Sequence, residues 1–509
     1  MTNIASTELV FAGWILILVY MGVILFFVIR GARRTKNISD YAVGNIAFSP
    51  IFVGLSLAAS MTSAATFIIN PGFIALYGIS GVLSYAIVLP IAAMVSLVIL
   101  TKGFRKYGNV VKALSMAQWI GSRYKSPGYS LFFGFLSLLL ITFIVLICVG
   151  LTQILSKTLN VQEIYILVGV TVFIFGYMMF GGANSLVYTN SIQAILMLIV
   201  AFIVLGSGYE HFSQGVHGFF QKLSAIDPHL AGIPNPKSFL FRDYFEIIFC
   251  QIVVGVAIVC QPHIITRSLF LKTDRDVNKY LVTGVIAEMI FFFVVFAGLY
   301  ARLAFPDLTV NNVPLKMDGI MSAYVVKEFP VYVGLIVVMG LISAGISTLE
   351  GLIQAVSTTI TSDIIKPLFG KYLPQETERQ NAAMIGINKV VIIMLAVVSF
   401  FISYDQLINP NLSVGIFAQN GVYAYFAAAF VPVLLGSFLK DVPKIAPILS
   451  SVTAIVVHFV IYYGGITAYM KAPVRNPAIP AAIAILCSVA VGLISYRLFR
   501  QPQQSTPAN

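Results

Sequence analysis

The sequence predicts an all-α polytopic membrane protein, and its composition supports that class in three ways. Of the 509 residues, 59% are hydrophobic and only 10% are charged, and the mean hydropathy is +0.93. Soluble domains carry about 25% charged residues, so these values exclude a soluble globular protein, a disordered chain and a collagen-like fibre. An outer-membrane barrel is excluded because its alternating strands average to a modest hydropathy.

The chain contains thirteen hydrophobic segments, each near the roughly 20 apolar residues that a membrane-spanning helix requires. An odd number of spans places the two termini on opposite sides of the membrane. The segments lie near residues 8–30, 49–75, 79–101, 128–156, 160–181, 184–208, 243–262, 280–303, 330–362, 382–403, 411–437, 445–464 and 478–498.

The basic residues predict the orientation of these segments. The loops on the side of the C-terminus carry 22 of the 31 lysines and arginines, and the opposite side carries 9. Because cytoplasmic loops are enriched in Lys and Arg, we expect the N-terminus outside and the C-terminus in the cytoplasm, in the inner (plasma) membrane of the cell.

Segment 2 is interrupted by small and polar residues. Its stretch 58–66 contains four hydroxyl residues and only one large apolar side chain, Met61, and Pro71 and Gly72 follow. One interpretation is close helix packing by small residues. The other is a broken helix whose free carbonyl groups bind a hard cation, which prefers oxygen ligands.

Segment 9 carries a second polar interruption. Ser347 and Thr348 lie mid-span, on the face that also presents Ala344, so their hydroxyls and a free carbonyl offer an oxygen cage suited to sodium. Alternatively, these hydroxyls bond back to their own helix. Glu350 lies two residues further on, and an ionisable residue inside a span is by default a candidate functional residue.

Four stretches of the chain resemble the sodium:solute symporter family, nearest its proline, acetate, monocarboxylate and pantothenate branch. The match is specific in combination and extends over roughly 45–440. The stretches are GGANSLVYTNSIQAILM (181–197), QPHIITRSLFLKTDRDV (261–277), FPDLTV (305–310) and SAGISTLEGLIQAVSTTITSDI (343–364).

This resemblance implies a leucine-transporter-type fold of two inverted five-helix repeats. Ion and solute then lie near the midplane, beside the broken first helix of each repeat. The implied divisions are an N-terminal helix and cytoplasmic loop (1–44), the first repeat (45–208), an outer loop (209–242), the second repeat (243–440), two C-terminal helices (441–500) and a disordered tail (501–509).

The resemblance also implies Na⁺ as the coupling ion and indicates its ligands. Carried over position by position, the backbone carbonyls come from Ala59, Thr62 and Ala344, and the hydroxyls come from Ser347 and Thr348. Five neutral oxygens can replace most of the water shell of a sodium ion without holding it too tightly to release it.

The chain departs from the family pattern at two positions. Asn190 stands where members usually have Asp, and Glu350 stands where they usually have a small or hydroxyl residue. We hypothesise that the carboxylate has moved across the helix pair and still assists ion release or a second cation or proton. The alternative is a protonated Glu350 that is bonded to a neighbouring helix.

Candidate solute ligands come from segments 2, 7 and 11, although polar residues there can also join helices. We see no arginine at mid-span, so a half-helix N-terminus is the expected partner of a solute carboxylate. Arg267 lies at the inner membrane end, where the orientation rule explains it without a binding role. The candidates are Ser63, Ala64, Thr66, Gln251, Gln419, Asn420 and Tyr423.

The predicted function is sodium-coupled import of a small organic solute, a monocarboxylate or related acid, by alternating access. An amino acid, a sugar or sialic acid is the alternative solute. A transporter-fold sensor and a membrane enzyme are the alternatives from other classes, and the histidines form no HExxH motif that would favour the enzyme. The expected partners are the solute, sodium and the lipid bilayer, with no nucleic acid, and the expected unit is a monomer.

Overall fold

The computed structural model of the chain describes residues 5–45, 47–271, 273, 275–409 and 413–500. The tail 501–509, which we expect to be disordered, lies outside the described residues. The described part of the chain is almost entirely helical, as the composition predicts.

Ten continuous helices and two bent helix pairs in the described ranges are long and apolar enough to cross a membrane. One further apolar helix, of 16 residues, coincides with the expected segment 160–181, so the count of thirteen spans stays a prediction. In chain order the helices are α1 (Thr7–Ala32), α2 (Pro50–Met61 and Ala65–Tyr77), α3 (Ile79–Gly108), α4 (Pro127–Leu159), α5 (Glu163–Met178), α6 (Ala183–Phe212), α7 (Phe245–Ile258 and Pro262–Phe270), α8 (Arg275–Ala304), α9 (Val331–Tyr372), α10 (Thr377–Ile408), α11 (Val414–Phe438), α12 (Ile445–Gly464) and α13 (Ala478–Phe499).

Short helices and one hairpin connect these spans. The two long connections, 209–242 and 304–329, are structured, because the first contains the helix Gly215–Ile226 and the second contains an antiparallel pair of two-residue strands. The other connecting elements are the helices Ile38–Val43, Met116–Arg123 and Ile320–Glu328, the 3₁₀ turns Pro228–Leu230, Met317–Gly319 and Ala468–Lys471, and the strands Thr309–Val310 and Val313–Pro314.

The helices α2 and α7 are both broken, and they stand five helices apart, at the first position of each expected repeat. The halves of α2 are inclined at 53° and those of α7 at 57°. In α2 the chain is extended at Thr62 (φ −93°, ψ 114°). In α7 the break precedes Pro262, and the preceding Gln261 is extended because proline disfavours the α conformation of its neighbour.

The centre of the helix bundle is formed by α9 and α11. In the most apolar stretch of each helix, 78% of the residues of α9 and 83% of those of α11 are buried, whereas the values for α1 and α10 are 22% and 28%. α9 packs against α6, α4 and the first half of α2. The peripheral helices therefore present large apolar side chains to lipid, and the polar residues of α9 lie inside the protein.

The C-terminal end of α8 approaches the second half of α2 so closely that only glycine fits at Gly298. A Cβ atom there would lie 2.1 Å from the carbonyl oxygen of Pro71. We expect Gly298→Ala to lower the thermal unfolding midpoint, because overpacking costs about 1–3 kcal/mol. Gly386→Ala is the control, because a Cβ atom meets nothing within 4 Å there. Equal midpoints for the two variants would contradict this reading of the packing.

Candidate sodium and solute site

Five oxygen atoms from the break in α2 and from the middle of α9 converge in one buried cluster. The Ser347 hydroxyl donates to the Ala59 carbonyl at 2.6 Å and to the Ala344 carbonyl at 3.2 Å. The Thr348 hydroxyl lies 3.3 Å from the Ala59 and Ala344 carbonyls and 3.1 Å from the Thr62 carbonyl. These are the five residues that the family resemblance indicates, and the structure brings all of them together.

The break in α2 explains why its carbonyls are available to α9. The Thr62 N–H still bonds to the Ala58 carbonyl at 3.0 Å, but Thr62 is extended and the helical pattern stops there. The carbonyls of Ala59 and Thr62 therefore face α9, where Ser347 and Thr348 lie one turn after Ala344. An uncharged set of carbonyl and hydroxyl oxygens suits a hard monovalent cation.

Glu350 is fully buried one turn further along α9, and its carboxyl group bonds to helices α5 and α6. It accepts hydrogen bonds from the Tyr177 hydroxyl at 2.5 Å and from the Thr189 hydroxyl at 3.2 Å. The Asn190 amide is best satisfied when its nitrogen donates to Glu350 at 2.7 Å and to Gln193 at 3.0 Å. The two residues that depart from the family pattern are thus direct neighbours.

Arg267 is buried beside these residues, which corrects the interpretation from the orientation rule. Its guanidinium donates to the Ser56 hydroxyl at 2.9 Å and to the Ser60 hydroxyl at 2.6 Å, both on the first half of α2. In the favoured amide orientation, the Asn190 oxygen accepts from Arg267 at 3.2 Å. A charged guanidinium and the Glu350 carboxyl group therefore lie on opposite sides of one amide.

Glycine at position 351 makes room for this guanidinium. A Cβ atom at Gly351 would lie 3.0 Å from Nη2 of Arg267. The side chain of Arg267 thus passes between α2 and α9, close to the oxygen cluster. Its position in the QPHIITR stretch was visible in the sequence, but its burial was not.

A small cavity of about 80 Å³ borders the break in α2. Four of the predicted solute ligands line it: Ser63, Thr66, Gln419 and Tyr423. Pockets that hold a small organic molecule usually measure about 300–1,000 Å³, so this cavity is small for such a solute. A larger solute therefore requires the walls to separate, as alternating access implies.

The other three predicted solute ligands do not line this cavity. Ala64 packs beside Gly150, and Gln251 is buried in the first half of α7. Asn420 bonds to Nε2 of His458 at 3.0 Å and to the Tyr463 hydroxyl at 3.1 Å, so it joins α11 to α12. That contact matches the helix-joining alternative, and solute binding by these three residues stays a prediction.

The cavity also contains polar residues that were not among the predicted ligands. Asn70, Tyr85 and Gln261 all line it. The sequence contained a signal for two of them, because Asn70 precedes the Pro-Gly pair of segment 2 and Gln261 opens the stretch at 261–277. Tyr85 lies in an otherwise apolar part of segment 3 and carried no comparable signal.

Glu246 lies at the start of α7. It is fully buried and forms an ion pair with Arg242 in which the carboxylate accepts two further hydrogen bonds, from the Arg242 N–H and from the Asn476 amide. Glu246 therefore connects the start of α7 to the segment that precedes α13.

The connection 304–329 packs against the second half of α2. Asp318 accepts from the Ser413 hydroxyl at 2.6 Å and from the Val414 N–H at 3.0 Å, which caps the start of α11. Burial raises the pKa of Asp318, and these two hydrogen bonds partly oppose that change. Lys157 at the end of α4 donates to the Gly319 carbonyl at 2.7 Å, so the same turn joins α4 and α11.

Broken helices that expose backbone oxygens at membrane depth, beside a cavity with several polar side chains in its wall, define the class of secondary transporters. The chain belongs to the Sodium:solute symporter family, because the sequence model of that family matches residues 41–457. Sodium is accordingly its coupling ion, and its function is sodium-coupled symport of a small solute.

Individual proteins support this membership. The chain is 26% identical to a sodium/pantothenate symporter of Escherichia coli over 94% of this chain and 95% of the relative. It is 26% identical to the sodium/pantothenate symporter of Haemophilus influenzae over 77% and 79% of the two chains. A sodium/proline symporter of Staphylococcus aureus is 22% identical over 85% and 82%.

A solved structure supports the fold. The substrate-bound, outward-open state of a Na⁺-coupled sialic acid symporter superposes with a TM-score of 0.78, at 16% identity, over 96% of this chain and 97% of that chain. The leucine-transporter-type arrangement is therefore confirmed.

Proposed function

We propose that this protein imports pantothenate or a related small monocarboxylate together with sodium. The observation that carries the proposal is the break in α2, because the cavity and the oxygen cluster both use its residues. Met61 and Ser63 line the cavity, and Thr62 between them contributes its carbonyl to the oxygen cluster. A solute in the cavity and an ion in the cluster would therefore organise the same few residues.

The proposed sodium ligands are the carbonyls of Ala59, Thr62 and Ala344 and the hydroxyls of Ser347 and Thr348. A sodium ion there would bridge α2 and α9 and stabilise the arrangement in which the cavity is complete. The membrane potential supplies about 2.3 kcal/mol per charge for each 100 mV, which drives import against a solute gradient.

The cavity chemistry supports a solute rich in hydrogen-bonding groups. Its described lining contains no charged side chain, but it contains the amides of Asn70, Gln261 and Gln419. Pantothenate carries a carboxylate, an amide and two hydroxyls, which such neutral donors and acceptors can match. The names of the two 26%-identical relatives favour this solute over an amino acid or a sugar.

Glu350 and Asn190 are proposed as coupling residues. Glu350 lies three residues after Ser347 on α9, and it accepts a hydrogen bond from Thr189 on α6. Asn190 accepts a hydrogen bond from the guanidinium of Arg267, which contacts α2. We further propose that the repeats span 45–208 and 243–440, that the protein works as a monomer in the inner membrane, and that its C-terminus is cytoplasmic.

A thermal-unfolding screen of the purified protein tests the solute assignment. We expect pantothenate to raise the unfolding midpoint in sodium chloride and not in choline chloride at equal ionic strength, because a ligand stabilises only the state it binds. Proline, acetate and sialic acid are the comparison solutes. Stabilisation by one of these and not by pantothenate would replace the proposed solute while retaining sodium-coupled symport.

A further inference from the structure

A small pocket lies between the C-terminal end of α1 and the start of α6. Arg30 lies in the last turn of α1, and Arg34 lies in the turn that follows, where its N–H donates to the Gly31 carbonyl at 3.0 Å. The side of the pocket that α1 forms therefore carries two guanidinium groups. The residues that line the pocket are Phe27, Arg30, Gly31, Arg34, Asn184 and Tyr188.

The fold holds the two walls of this pocket together. A Cβ atom at Gly31 would lie 2.8 Å from Cβ of Ser185, so α1 approaches α6 as closely as glycine permits. The Asn184 side chain accepts a hydrogen bond from the Asn45 N–H at 3.1 Å. The Asn45 side chain in turn donates to the Arg34 carbonyl at 2.8 Å. These contacts connect the backbone on both sides of the pocket and give it a defined shape.

The charge around the pocket is positive and has no counterion within the described ranges. Arg30, Arg33, Arg34 and Lys36 are all exposed, and none of their side chains forms an ion pair or a hydrogen bond with a described residue. The one carboxyl group in the stretch 30–45 belongs to Asp40 and accepts from the Lys36 backbone N–H at 2.9 Å. The guanidinium groups are therefore available to an anion from outside the chain.

Apolar surface continues from the pocket towards the middle of the membrane. Val23 lies one turn before Phe27 on α1, Ile195 lies two turns after Tyr188 on α6, and the side chains of Val23 and Ile195 are exposed. At the pocket itself, the rings of Phe27 and Tyr188 stack with their centroids 6.4 Å apart. A ligand that carries an anionic group at one end and long apolar chains at the other matches this arrangement.

We propose that this pocket binds the phosphate group of one anionic phospholipid, whose acyl chains lie along α1 and α6. Arg30 and Arg34 bind the phosphate oxygens, because a guanidinium group donates in a planar fork that fits them. The Tyr188 hydroxyl, which has no hydrogen-bond partner among the described residues, is a further donor to the headgroup.

The dimensions and the location of the pocket fit a headgroup. Its volume of about 20 Å³ is room for one group the size of a water molecule, such as a phosphate oxygen, and the rest of the headgroup lies at its mouth. In the proposed orientation this end of α1 lies at the cytoplasmic leaflet, where basic pockets between helices are typical sites of anionic headgroups. The orientation rule explains the positive charges, but it does not explain a pocket that two of them line.

The test is lipid binding by the purified protein in detergent, measured by the rise of the thermal unfolding midpoint as lipid is added. We expect phosphatidylglycerol to stabilise the wild type at lower concentrations than phosphatidylcholine with the same acyl chains. The double variant Arg30→Gln, Arg34→Gln should bind phosphatidylglycerol about 30-fold more weakly, because each basic residue near the surface contributes about fivefold. Equal affinities of this variant and the wild type would overturn the proposal.

The double variant Lys102→Gln, Lys106→Gln is the matched control. It removes the same charge from two exposed side chains that stand four residues apart on α3, at an end that the orientation rule also places in the cytoplasm, and neither residue lines the pocket. We expect this control to bind phosphatidylglycerol as the wild type does. An equal loss of affinity in both double variants would mean a diffuse attraction to anionic lipid and would overturn the pocket.

Two measurements on the wild type complete the test. Sodium phosphate at the same phosphate concentration should not raise the unfolding midpoint, and stabilisation equal to that by phosphatidylglycerol would assign the pocket to a free anion and overturn the lipid. Native mass spectrometry keeps the proposal testable if the arginine variant does not fold. We expect one molecule of phosphatidylglycerol to be retained in preference to phosphatidylcholine, and retention without preference would overturn the proposal.

Discussion

Replacing Ser347 by Ala is expected to raise the sodium concentration for half-maximal uptake by about tenfold or more. The Ser347 hydroxyl lies 2.6 Å from the Ala59 carbonyl, at the centre of the proposed ion ligands. Its removal takes one oxygen from the ion, and a hydrogen-bonding group that faces a charge contributes about 1.5–3 kcal/mol. The helix itself should persist, because Ala is the best helix former.

Sodium-dependent solute uptake into proteoliposomes measures this effect at several sodium concentrations. Ser357→Ala is the matched control, because Ser357 is a buried serine of the same helix that lies outside the oxygen cluster, and its hydroxyl donates to the Gln354 carbonyl at 3.4 Å. An unchanged sodium requirement in Ser347→Ala would mean that the ion binds elsewhere.

Replacing Arg267 by Met should lower the free energy of unfolding, because each buried polar group that is left without its partner costs about 1–3 kcal/mol. The substitution leaves Glu350 without a compensating charge, and it removes the donors that Ser56, Ser60 and Asn190 accept from. The damage should be smaller in the double variant Arg267→Met, Glu350→Gln, because no uncompensated carboxylate then remains.

The thermal unfolding midpoints of both single variants and the double variant provide this comparison as a double-mutant cycle. Arg379→Met is the control, because Arg379 pairs with Glu376 at the surface with 78% of its side chain exposed, where a pair contributes little. Strictly additive effects of the two buried substitutions would contradict an electrostatic interaction between Arg267 and Glu350.

Much of the oxygen cluster was predictable because its elements are local. The small and hydroxyl residues of 58–66 indicate a weak point in α2, and the Ser347–Thr348 pair lies one turn from Ala344. Backbone carbonyls need no particular side chain, so the family resemblance could identify Ala59 and Thr62. The structure then brings these atoms within 3.3 Å of the two hydroxyls.

The partners of the buried charges could not be predicted in the same way. Arg267 satisfies the orientation rule for the inner membrane end, yet its guanidinium reaches Ser56 and Ser60 on α2. Asn420 has a polar side chain of the kind that binds solutes, yet it forms hydrogen bonds with α12. Glu288 lies within segment 8 of the sequence, but its contact with Thr62 depends on how α8 packs against α2.

The sequence alone determined the membrane class, the approximate spans and the polar stretches of segments 2 and 9, because hydropathy and charge distribution act along the chain. The tertiary structure decided which polar groups meet inside the bundle: Glu350 with Asn190 and Arg267, and Glu288 with Thr62. The physical reason is that helical periodicity specifies the face on which a residue lies but not the helix that this face contacts. In a low-dielectric interior, that contact decides whether a charge is compensated or left to bind an ion.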